Sequence, residues 1–378
     1  MSTRSNEWSV PETELFTQIR ETLDAASEAV LATVVDVEGS AYRRPGAKML
    51  LEPDGGGAGS ITAGCLEDEV RKLANDVLEA GEPRIETWDL TGDNDVWGMG
   101  VGCNGVITVL LEPLDESFRP VAAARERGEN IGVVTTLDGD LPVGTRAVYR
   151  PGSGFDDDAF PAWFRSELTE TVERFVEHGT SDTLHVKHAD ETVEVFIDGV
   201  RASPELVVFG SGHDVQSVVE LAKLVDFRVT VVAFRGGQAN SDRFPRADDV
   251  VSASPRDVGA IRKWSNDNYA VVMTHNFVDD QLTLLELLET AVPYIGLMGP
   301  GKRFDEMLED FDEEGITISE DDRDRIFTPI GLSLGGDTPY QIAFSIVAEL
   351  LAVSNDRTPQ HLSRRAGPIH ERREVATE

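Results

Sequence analysis

Cysteine is almost missing: two residues, Cys65 and Cys103, in a chain of 378. Two thiols are too few for a disulfide framework, so a reducing interior is expected. Long apolar runs are missing too. No stretch approaches the eighteen or so uninterrupted apolar residues of a membrane span, and the opening residues MSTRSNEWSVPETELF have no apolar core of signal-peptide length. A cytoplasmic protein is expected. Positive charge is the third shortage: 34 Lys and Arg stand against 69 Asp and Glu, a formal net charge of −35. Without a basic stripe to displace counterions from phosphates, nucleic acid is a poor partner, and so is an anionic membrane. The acids are spread along the whole length, with local peaks at FDDDAF and DDRDR. Such a surface repels itself in dilute buffer and is tolerated where salt screens it, which predicts a salt-adapted protein.

What is present divides into two patterns. Residues 12–30 carry apolar positions at helical spacing. LATVVDVEGS (31–40) and AKMLLEP (47–53) flank the turn YRRPG and predict a strand pair. SITAG is expected to be a short strand leading to Cys65, and a helix follows from Leu66, its apolar face set by Val70, Leu73 and Val77. VITVLLEPL (106–114), IGVVTTL and ETVEVFIDG read as strands, with a helix near 160–178. No internal repeat is visible. After RASPE (201–205) a βαβ rhythm begins, with strands at LVVF, RVTVVAF, YAVVMTH and YIGLMG. The fold class expected is α/β: an N-terminal mixed α+β domain over 1–202, then a Rossmann-like doubly wound parallel-sheet domain over 203–355. Residues 356–378, polar and arginine-rich, are expected to form a disordered tail.

Both cysteines sit among glycines. Cys65 follows Gly64 where a chain of small residues becomes a helix, a setting that favours thiolate through the dipole and unpaired amides. The plainer alternative is a small buried hydrophobe. Cys103 lies in GMGVGCNGV, whose backbone amides can form a concave anion seat or simply a tight turn. Arg43 and Arg44 occupy a glycine-bounded turn, able to grip a phosphate or to pair with local acids. In VVFGSGHDV, Gly210 and Gly212 match the first two glycines of a dinucleotide fingerprint, but Val215 stands at the third. His213 faces the same turn. Ala233 ends the second strand where an acid would hold a ribose hydroxyl, and Arg235 follows as a candidate for another anion. His275, Asn276, Lys302 and Arg303 are candidates to line the crevice.

Taken together, GSAYRRPGAKM, GSITAGCLEDEV, GMGVGCNGVITVLLEPL, the 206–235 segment, MTHNF, YIGLMGPGKR and PIGLSLGGDTPYQIAFSIVAELLAV resemble the XdhC/CoxI family of maturation factors for molybdenum hydroxylases such as xanthine dehydrogenase. The resemblance implies a non-enzymatic chaperone that binds molybdenum cofactor, assists its sulfuration, and delivers it to the apo-enzyme. It implies Cys65, beside Gly64, as the thiol that contacts the metal, with Arg43 and Arg44 in the adjoining motif. Cys103 is a further cofactor-binding candidate, and Gly210, Gly212 and His213 belong to a Rossmann turn for the pterin phosphate or a nucleotide. The molybdenum hydroxylase apo-enzyme is the partner expected, a cysteine desulfurase a second one, and a homo-oligomer the assembly. The competing reading is an NAD(P)-dependent oxidoreductase using the Rossmann crevice, with structural cysteines.

Overall fold

Apolar alternation from Val30 onward builds the first of three sheets in the computed structural model, which describes residues 8–90, 104–156, 159–188 and 191–365. Two compact units meet at Ala202/Ser203. Among the described residues, the first unit opens with α1 (Glu12–Asp24), β1 (Val30–Ser40), β2 (Lys48–Leu51), β3 (Gly57–Gly59), α2 (Glu67–Ala80), β4 (Arg84–Asp89) and β5 (Asn104–Pro113). These strands form an antiparallel sheet in the order β3-β2-β1-β5-β4. One face carries Ala32, Val34, Met49, Ile107 and Val109 and buries Val70, Ala74 and Val77 of α2. The other face carries Leu31 and Leu50 and packs on Leu15, Phe16 and Ile19 of α1. Acids at 67–69 suit the N-terminal dipole of α2.

The same sequence of elements then recurs: α3 (Arg119–Arg127), β6 (Ile131–Asp138), β7 (Arg146–Arg150), β8 (Gly154–Phe155), α4 (Ala162–His178), β9 (Ser181–His188) and β10 (Glu191–Val200). The second sheet has the order β8-β7-β6-β10-β9, strand for strand the order of the first. The absence of a visible sequence repeat is thus not an absence of a repeated fold. Packing constrains apolar volume and period, and many side chains satisfy both.

The second unit contains β11 (Glu205–Phe209), α5 (Asp214–Leu224), β12 (Arg228–Ala233), β13 (Asp249–Ser252), β14 (Asn268–Val272), α6 (Phe277–Leu288), β15 (Tyr294–Leu297), α7 (Gly301–Glu313), α8 (Glu320–Asp324), β16 (Ile326–Phe327) and α9 (Pro339–Ser354). All strand pairs are parallel, in the order β13-β12-β11-β14-β15-β16. Leu206, Val208 and Val231 face α5 and α9, whereas Val207, Phe209 and Val232 face α6 and α7. Helices cover both faces, which is why β11 and β14 read as continuous apolar runs. The order reverses at β11, placing a crevice between the carboxyl ends of β11 and β14.

Two local expectations need correction. SITAG is not a strand: β3 stops at Gly59 and residues 60–66 form a bent loop. The first helix ends at Asp24, six residues short of the periodic stretch. Of the expected tail (356–378), residues 356–365 carry one 3-10 turn, at Leu362–Arg364, and the rest lies outside the described residues.

Candidate functional site

Strand register decides which loops meet. In the first sheet Ser40 pairs with Asn104, Met49 with Gly59, and Asp89 with Val106. The end of β1, the start of β2, the end of β3 and the start of β5 therefore share one edge. The turn bearing Arg43 and Arg44 and the loop bearing Cys65 both leave from that edge. Cys103 immediately precedes β5 but lies outside the described residues.

The cysteine loop is held from inside. Thr62 and Glu67 are both buried, at 1% and 8% exposure. The Thr62 hydroxyl donates to the Glu67 carboxylate at 2.6–2.7 Å and accepts from the Cys65 amide at 3.1 Å and the Gly64 amide at 3.3 Å. Glu67 also accepts the Leu66 amide at 3.0 Å and the Thr62 amide at 3.2 Å. The amides that the sequence assigns to thiolate or anion are thus already engaged by Thr62 and Glu67. Glu67 is the residue sequence reasoning missed. Its signal was a hydroxyl and a carboxylate five positions apart, spanning the start of a helix in the manner of a capping box.

Cys65 itself is half-buried and packs, like Ala41, on the rim of the α2 cluster. Gly64 adopts φ +110°, and a Cβ built there meets nothing within 4 Å. Its backbone faces open space beside the thiol, which permits close approach by a ligand. Arg43 and Arg44 are half-buried, and neither forms an ion pair with a carboxylate among the described residues. In a chain with 69 acids this leaves two adjacent guanidinium groups available to an external anion. Among the described residues, no group of three or more His, Cys, Asp or Glu is arranged to hold a metal ion. Cys65 offers one soft donor rather than a cage.

The second unit presents a different edge. Gly210 (φ +152°) lies against β14, where a Cβ would sit 2.5 Å from the Met273 carbonyl oxygen. Packing alone accounts for that glycine. At Gly212 a Cβ would sit 2.3 Å from Asp214 Oδ1. His213 is exposed at the start of α5. Asp214 accepts from His275 Nε2 at 2.8 Å, so a carboxylate stands at the turn where a dinucleotide phosphate would bind. Arg235 pairs with Asp279 at 2.8 Å. Arg303 is held by buried Asp280 at 2.5 Å and lies over the Phe277 ring, Asn276 caps α6, and Lys302 pairs with Glu306. Arg235, Asn276 and Arg303 thus have partners within the fold, as does His275, whereas His213 is exposed and the Lys302 side chain is 85% exposed.

Comparison with known proteins follows the same division. Residues 206–350 match the profile described as XdhC Rossmann domain, and residues 22–89 match that of the XdhC and CoxI family. The chain is 30% identical to a probable xanthine dehydrogenase subunit of Bacillus subtilis, over 87% of this chain and 94% of that protein. It is 23% identical to the molybdenum cofactor insertion chaperone PaoD of Escherichia coli, over 88% of this chain and 86% of that one. A crystal structure of a xanthine dehydrogenase from Bacillus halodurans superposes with a TM-score of 0.73 at 29% identity, covering 92% of this chain and 97% of that one. No helix among the described residues is long and apolar enough to cross a membrane. The chain belongs to the XdhC and CoxI family.

Proposed function

We propose that this protein is a maturation factor that receives molybdenum cofactor at the Cys65 edge of its first sheet and passes it to a molybdenum hydroxylase apo-enzyme. The observation that carries the reading is the convergence of two loops on one edge. One brings a half-buried thiol beside an open glycine, the other two arginines without carboxylate partners among the described residues. The cargo is a phosphorylated pterin whose dithiolene sulfurs hold the metal, so it asks its host for a soft donor and an anion grip together. Cys65 supplies the first and Arg43 with Arg44 the second, while Thr62 and Glu67 keep the loop in one shape. The relation to PaoD over most of both chains supports the same reading. Sulfuration on this protein, with a cysteine desulfurase as donor, and assembly as a homo-oligomer belong to the proposal.

The NAD(P)-dependent reading would place the chemistry at the β11–β14 crevice. There the Asp214 carboxylate stands at the turn that would take a phosphate, and Ala233 offers no side-chain oxygen to a ribose. Both observations favour the carrier.

Cys65→Ala decides between them. The variant is expected to fold with an unchanged melting temperature, to retain little pterin when purified from a molybdenum-replete host, and to leave a co-expressed hydroxylase inactive. Gly212→Val, which crowds the Rossmann turn, serves as the comparison. Full cofactor retention and client activity in Cys65→Ala, together with loss of both in Gly212→Val, would move the site to the crevice.

A further inference from the structure

The two sheets of the first unit match in more than strand order. Thr33 pairs with Lys48 and Leu31 with Glu112 in the first; Thr135 pairs with Arg146 and Val133 with Asp198 in the second. The turns match as well. Gly46 donates to the Val34 carbonyl and Ala47 to that of Arg44; Gly144 donates to the Thr136 carbonyl and Thr145 to that of Pro142. Each long strand pair breaks register at the same point, beside Val35 in β1 and Leu137 in β6. Lys48 and Arg146 are therefore equivalent positions, and so are Glu112 and Asp198.

These equivalent residues bond to each other crosswise. Buried Lys48 of the first half donates to buried Asp198 of the second at 2.5 Å, and buried Arg146 of the second donates to buried Glu112 of the first. The glycines repeat the exchange. A Cβ on Gly46 would meet Ser181 Oγ at 2.8 Å and Asp198 Oδ1 at 3.1 Å; one on Gly144 would meet Pro83 Cγ at 3.0 Å and Glu112 Oε2 at 3.5 Å. Ser181 and Pro83 are again equivalent, each preceding the residue that pairs with Ile197 or Leu111. The halves also share a small apolar cluster of Val35, Leu110, Leu137 and Phe196, two from each half at matching positions. Residue i of one half meets j of the other while the counterpart of j meets the counterpart of i, which defines an isologous contact.

We infer that the face of the first half carrying Gly46, Lys48, Leu110 and Glu112 is a dimerisation surface whose partner is a fold of its own kind, supplied in the same chain by residues 119–200. The surface is self-complementary, so the two halves form a dimer fused end to end. The halves have diverged at the other end. The turn from Asp138 to Gly144 is shorter than that from Asp36 to Gly46 and has no arginine pair, and Phe160, 1% exposed, packs in the core just before α4. Hence one half carries the arginine turn and cysteine loop, and the other serves as its permanent partner. Buried charge pairs suit that role, because a wrong register leaves four charges unpaired in a dry interface.

The test uses the full chain with a specific protease site inserted at the exposed 115–117 link. After cleavage in native buffer the two pieces are expected to co-elute on size exclusion, in dilute and in molar salt. Lys48→Asp and Arg146→Asp should each raise the dissociated fraction at least tenfold, by similar amounts. The reversed pairs Lys48→Asp/Asp198→Lys and Arg146→Glu/Glu112→Arg should each restore co-elution. Separation of the cleaved wild type, or a loss confined to one of the two pairs, would overturn the inference. If a single variant fails to fold, its reversed pair decides: a folded, associated pair supports the surface, and an unfolded or dissociated one refutes it.

Discussion

Glu67 carries the closest connection between packing and chemistry in the first unit. A carboxylate two residues from a thiol is an unexpected neighbour for a cysteine proposed to meet a metal, since its charge opposes a second anion nearby. Its four hydrogen bonds to Thr62 and Leu66 explain its presence: it replaces missing backbone partners at a helix start that carries no capping side chain on Leu66. Glu67→Gln keeps the volume but exchanges an acceptor for a donor facing amides. The expected cost is about 1–3 kcal/mol in chemical denaturation, from buried N–H groups left unpaired. The same variant should retain less cofactor although Cys65 is intact, because the loop no longer has one shape. Pterin content measured beside the denaturation midpoint checks both parts, and full retention in a destabilised variant would show that loop shape is irrelevant to binding.

At the scale of elements, the second unit is fastened by charged groups at helix ends. Ser319 caps α8 and donates its hydroxyl to Asp322, which also accepts from Arg325 at 2.7 Å. Arg325 in turn donates to the carbonyls of Thr290 at 2.9 Å and Val292 at 3.2 Å, tying β16 to the approach to β15. The Ser319 hydroxyl, and then Arg325, hold the Asp322 carboxyl below its usual value of 3.8. A depressed carboxylate contributes stability that is present above its unfolded pKa and lost as pH falls through the lower folded value. Asp322→Asn should therefore cost roughly 0.5–1 kcal/mol at neutral pH, discounted for partial exposure. The gap to wild type should close as pH drops below about 4, the ordinary carboxyl range. Paired denaturation curves across pH 3–7 read this directly, and a gap independent of pH would show that the carboxylate's charge contributes nothing to the effect.

Over the whole molecule the dominant quantity is charge. A net −35 is borne largely by exposed acids, and the ion pairs of α1 and α3, such as Arg119 with Asp24 and Glu116, engage only a fraction of them. Self-repulsion of this size loosens a compact state in dilute buffer, and screening restores it over a Debye length of about 10 Å at 0.1 M salt. Thermal midpoints are expected to rise from low-salt buffer to molar potassium chloride. Equal midpoints would show that the acids are spaced widely enough to ignore one another. The buried pairs Lys48–Asp198 and Arg146–Glu112 should respond far less to salt, being shielded from solvent ions.

Local chemistry was legible in the residues themselves. The βαβ rhythm after residue 203 and the helix beginning beside Leu66 both follow from period and turn residues that act over a few positions. The family likeness was legible as well, since it rests on short motifs, and so was the pairing of a rare cysteine with glycine. Contacts between distant strands were not legible. Register brings the arginine turn and the cysteine loop to one edge, and register is set by which apolar face must be buried over tens of residues. The same holds for Arg303, which the sequence offers to a ligand and the fold gives to Asp280. The doubled architecture of the first unit is the extreme case. Two halves with little likeness in sequence close on each other because matching registers place opposite charges and equal apolar volumes across one axis, and only the folded chain brings those positions together.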